Sequence, residues 1–98
     1  MIPPLKDMRL RSIHRWMKDQ QPKRFRQLTQ SGGLEAAMEQ LDETMIQEFE
    51  SQEDAVMHRL DREKTWGTQA GTREFQTRRL MIWGEIREQF LPVISEQT

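Results

Sequence analysis

Apolar residues recur along this chain at helical spacing, and nowhere in the alternation of a strand. Between Pro4 and Gln20, the side chains of Leu5, Leu10, Ile13, Trp16 and Met17 fall in one broad arc at ~100° per residue, with Met8 outside it. Pro3 and Pro4 suit a helix start, where a missing N–H costs nothing. Pro22 closes this helix and opens a short second one carrying Phe25 and Leu28. Gly32 and Gly33 then stop the chain, because glycine tolerates the left-handed C-cap.

The third segment holds the strongest pattern. Leu34, Met38, Leu41, Met45, Phe49, Val56 and Leu60 form a narrow stripe with Gln52 in its one gap, close to a heptad seam. No Gly or Pro interrupts residues 34–66. A helix of that length would reach ~45 Å. The capping-box pattern from Ser51 to Asp54 is the one competing signal, for a break near residue 50. Trp66 to Thr72 reads as a loop, with Thr72 as cap for a last helix from Arg73 to Leu91. That helix gathers Phe75, Ile82, Trp83, Ile86 and Phe90 on one face with Leu80 at its flank, and Pro92 ends it.

The spans are therefore about 4–20, 22–31, 34–65 and 73–91. They predict one all-α domain over residues 1–98: a small bundle on a long helical hairpin, with the short N-terminal helices packed across it. Trp16 and Trp83 belong to its core, and Trp66 to its partly exposed end.

Composition narrows the function. Charged residues reach 32% and apolar ones 35%, which is polar, yet the patterning argues against disorder. Cys is absent, which removes disulfides and thiol chemistry. No apolar run approaches the ~20 residues of a membrane span, and residues 1–12 lack the apolar core of a signal peptide. A cytoplasmic protein without membrane contact is expected.

The net charge of -1 hides an uneven distribution. Residues 1–30 balance to +6, residues 31–66 to -7 and residues 67–98 to zero. Such asymmetry implies internal pairing or two partner surfaces of opposite sign. Arg11, Arg15 and Lys18 make a basic stripe opposite the first apolar arc, and Lys23, Arg24 and Arg26 follow beyond Pro22. These six are the candidate phosphate-binding residues, against the plainer reading of a solvated face paired with the long helix. Glu39, Glu43, Glu50, Asp54 and Asp61 form the acidic counterpart.

Catalysis and cofactors find little support. Ser12 and His14 stand two apart and point to different faces. The Gly67–Gly71 loop lacks the lysine of a phosphate loop and follows no strand. Asp54, His58 and Asp61 share a helix face, but the Glu-x-x-His pattern of di-metal bundles is missing. We expect no enzyme, no cofactor, no metal and no small-molecule substrate.

The stretch RLRSIHRWMKDQQPKRFRQLTQSGGLEAAMEQLDETM, residues 9–45, resembles the small transposon-encoded proteins of the TnpV type. The likeness rests on basic Arg9, Arg11 and Arg15, then Pro22 with Phe25 in an aromatic place, then Leu28, Ser31, Gly32 and Leu34. An amphipathic helix from Arg73 to Phe90 also fits. Phe25 stands where that family has Tyr, and Gly33 where it has a charge. The resemblance implies a mobile element or phage setting and no reaction.

Three functions follow. The first is a non-enzymatic interaction factor, dimeric through a seam too long for one hairpin to cover. Its interface would comprise Met38, Leu41, Met45, Phe49, Val56, Leu60 and Trp66, and Met45→Glu would dissociate it. The second is an accessory DNA-binding protein using the six basic residues. The third presents the acidic stripe to a host nucleic-acid enzyme.

Overall fold

A computed structural model describes residues 2–93. Four helices follow one another: α1 (Lys6–Gln20), α2 (Pro22–Ser31), α3 (Leu34–Arg62) and α4 (Gln69–Phe90). The described residues contain no strand. Helices α3 and α4 form the long hairpin, α1 lies across α3, and α2 packs on α1 and the start of α3. The expected all-α bundle is what the chain forms.

Each boundary has a local cause. Gln21 precedes a proline and adopts φ -134°, outside the helical region, so it ends α1 and caps α2. Gly32 takes the left-handed conformation at φ 79°, and the N–H groups of Gly32 and Gly33 bond back to Thr29 and Leu28. Lys64, at φ 60°, performs the same closure on α3, with Thr65 N–H bonded to the Leu60 carbonyl at 3.0 Å. α3 therefore ends at Arg62, short of the expected 65. α1 begins at Lys6, two residues later than expected, after Leu5 in an extended conformation.

As expected from its uninterrupted stripe, α3 runs unbroken through Ser51, with Phe49, Val56 and Leu60 all buried. One boundary moves further. α4 starts at Gln69 and not Arg73, since Thr68, not Thr72, is its cap. Its Oγ1 accepts from Gly71 N–H at 3.0 Å and donates to the Thr65 carbonyl at 2.6 Å.

The core comprises Ile13 and Met17 from α1, Met45, Phe49, Val56 and Leu60 from α3, and Ile82, Trp83 and Ile86 from α4. Phe49 and Trp83 meet edge to face at 5.9 Å. This overturns the expected dimer seam. Met45, Phe49, Val56 and Leu60 are enclosed within one chain, because α1 covers what the hairpin leaves open. Met45→Glu would thus place a charge in the core instead of splitting a dimer. Met38 and Leu41 are half-buried against the same core. Of the expected interface only Trp66 is exposed, and it meets the Phe75 ring edge to face at 5.1 Å. Among the described residues, no helix is long and apolar enough to cross a membrane.

Candidate functional site

The N-terminal cations divide into two sets. Lys6 and Arg9 lie on the α1 side that meets α3 and are consumed there. Lys6 Nζ lies 2.9 Å from Glu39 Oε1. Arg9 donates to both oxygens of Asp42, at 2.7 and 3.0 Å, and to the Pro4 carbonyl at 2.8 Å. The Asp42 hydrogen bond outweighs burial and raises the Arg9 guanidinium above its ordinary value.

The second set is the six residues marked out by the sequence. Arg11, Arg15 and Lys18 are exposed on the arc of α1 opposite buried Ile13 and Met17, and Lys23, Arg24 and Arg26 are exposed on α2. None of the six makes an ion pair among the described residues. Arg24 makes only a long hydrogen bond to Gln21, at 3.4 Å. His14 joins the two helices by meeting the Phe25 ring edge to face at 5.1 Å. The six do not share one plane: Arg24 and Arg26 stand ~160° apart around α2, on opposite flanks. Five of them at most face a common surface.

On the acidic side, Glu39 is taken by Lys6, while Glu43, Glu50, Asp54 and Asp61 are exposed and free of ion pairs among the described residues. Among the described residues the remaining internal pairs lie in the hairpin, Arg59 with Glu63 and Glu74, and Arg79 with Glu53. Asp54, His58 and Asp61 are exposed, and among the described residues no three metal-ligating side chains gather. Ser12 and His14 part company as their spacing implies, Ser12 beside a cavity and His14 against Phe25.

Sequence reasoning passed over two charged residues with structural weight. Asp42 sits four residues after Met38 and three before Met45, on the apolar stripe itself. Arg79 sits between Phe75 and Trp83 on the buried arc of α4 and lies over the rings of Phe49 and Phe75, at 5.8 and 5.6 Å. A charge on an apolar arc demands a partner, and that was the available signal.

It also passed over the cavity. No Cα of α1 comes within 8 Å of one in α4 among the described residues, although both helices lie on α3. The trough between them holds a cavity of about 340 Å³. Ile13, Met45 and Trp83 line it as core residues, and Arg9, Arg11 and Arg87 are its only charged walls among the described residues. The Trp16 indole N–H joins α1 to the chain beyond α4 by donating to the Pro92 carbonyl at 2.8 Å.

Comparison of the chain with family models, with curated proteins and with solved structures finds no match.

Proposed function

We propose that this protein is a non-enzymatic accessory factor that grips a nucleic-acid backbone through the exposed cations of α1 and α2. One observation carries the reading. Arg11, Arg15, Lys18, Lys23, Arg24 and Arg26 stay outward and, among the described residues, without ion pairs, although the same chain offers a long acidic helix next door. A basic surface left unneutralised beside available carboxylates fits an external polyanion better than internal pairing. The resemblance of residues 9–45 to TnpV-type proteins supports a mobile-element setting. The short α2 argues against groove reading, so binding follows phosphate spacing and not sequence.

The test is duplex binding over a salt series. With four or five phosphates neutralised, log K falls with log salt at a slope of about -3.6 to -4.5. The triple variant Arg15→Ala, Lys18→Ala, Lys23→Ala loses about three units of that slope while keeping its helices, since alanine suits exposed helix positions. Binding that ignores salt or the triple variant overturns the reading.

A second reading, self-association, rests on α4 and not on the α3 seam. Leu80 (58% exposed) and Met81 (49%) lie on its outward face beside Gly84, whose Cβ position is open space. Two α4 helices crossing antiparallel between Leu80 and Gly84 would set each Leu80 over the other copy's Gly84. The same crossing brings unpaired Arg73 toward Glu88 of the second copy. A dimer mass by light scattering that Leu80→Glu converts to monomer supports this, and a wild-type monomer at every concentration overturns it.

A further inference from the structure

We propose that the cavity between α1 and α4 is a binding site for a small amphipathic anion, a carboxylate on an apolar body. Its volume of about 340 Å³ falls at the low end of the ~300–1,000 Å³ usual for small-molecule sites. The interior is apolar and fixed: Ile13, Met45 and Trp83 are 1%, 2% and 7% exposed, and Trp83 is braced by Phe49. Such walls hold ordered water poorly and an alkyl or aryl group well.

The charge at the walls selects the sign of the ligand. Among the described residues, three arginines line the cavity and no carboxylate does. Arg9 is already spent on Asp42. Arg11 and Arg87 are exposed and make no ion pair among the described residues, so two guanidinium groups stand unneutralised beside an apolar hollow. An anionic head between them gains charge-assisted hydrogen bonds, and the Ser12 hydroxyl adds a donor on the same wall. A neutral ligand of equal size forgoes that gain, and a cation is repelled.

Arg11 belongs both to this site and to the α1–α2 cluster, whereas Arg87 on α4 belongs to this site alone, so variants at Arg87 separate it from nucleic-acid binding. The probes are octanoate, octanol and octylamine, followed by shifts of the Met8 and Met45 methyl groups and the Trp83 indole N–H in NMR spectra. Octanoate shifts all three saturably, octanol binds at least about tenfold more weakly, and octylamine does not bind. Arg87→Gln weakens octanoate about tenfold and leaves octanol and duplex binding unchanged. Ser12→Leu, at the exposed lip, fills the hollow and abolishes octanoate binding with every arginine in place. Equal affinity for octanoate and octanol overturns the proposal, as does an unaffected Arg87→Gln protein. Absence of shifts up to the solubility limit, in a protein whose circular dichroism shows it folded, overturns it too. Uptake of the protein by anionic phospholipid vesicles without any response to free octanoate would assign the arginines to a lipid surface and equally overturn it.

Discussion

Arg9 and Asp42 form a two-point ion pair at 2.7 and 3.0 Å, with side chains only 15% and 5% exposed. The pair pins α1 to α3 at the edge of the core. Its guanidinium fork matches both carboxylate oxygens at once, which a lysine would not do. Removing one partner strands the other in a poorly solvated place. Asp42→Ala should therefore destabilise the fold by about 3 kcal/mol in a denaturant melt. The double variant Arg9→Met, Asp42→Leu should recover most of that loss, because no buried charge remains.

Lys6 and Glu39 extend the same contact into solvent and should show it by titration. The hydrogen bond to Glu39 raises the Lys6 ammonium above lysine's ordinary 10.5. A raised folded value means the contribution is fully present below 10.5 and is lost as pH rises through the raised value. The Lys6 titration followed by NMR should sit above the lysine norm in dilute buffer. It should return toward that norm at ~1 M salt, where screening acts within ~3 Å.

Arg79 serves three elements at once. Its Nε donates to Glu53 on α3 and its Nη2 to the Ile2 carbonyl, each at 2.6 Å, while the group lies over Phe49 and Phe75. Arg79→Lys keeps the charge but cannot reach two acceptors in different directions. We expect a loss of about 1–2 kcal/mol, with faster amide exchange at residues beside Ile2 than in the wild type.

Much of this was legible in the sequence, for identifiable reasons. The stripe from Leu34 to Leu60 lacks Gly and Pro, so its period survives uninterrupted and α3 follows. The outward direction of Arg11, Arg15 and Lys18 follows from the same arithmetic on α1. Which cations meet carboxylates does not. That depends on where α1 crosses α3, and the crossing selects Lys6 and Arg9 over their neighbours. The dimer seam failed for a related reason: its exposure depended on where α1 lands, and α1 lands on it. The cavity was out of reach because its walls come from the N-terminal segment, three helices and Leu91.

Two glycines of α4 look alike in sequence and should respond with opposite sign. Gly71 is buried in the first turn, and a Cβ there would collide with the Thr65 carbonyl of the preceding turn. That carbonyl is backbone, already bonded to the Thr68 hydroxyl, and has little room to move. Gly71→Ala should cost about 2 kcal/mol or more despite alanine's better helix propensity. Gly84 lies two turns from the helix end with nothing within 4 Å of its Cβ position. Gly84→Ala should raise stability by about 1 kcal/mol in dilute monomer. If two copies cross at that glycine, the gain should shrink or reverse as protein concentration rises, because a methyl group then fills the place Leu80 of the second copy needs. Melting both variants across a concentration series thus reads a backbone collision at one position and the self-association surface at the other.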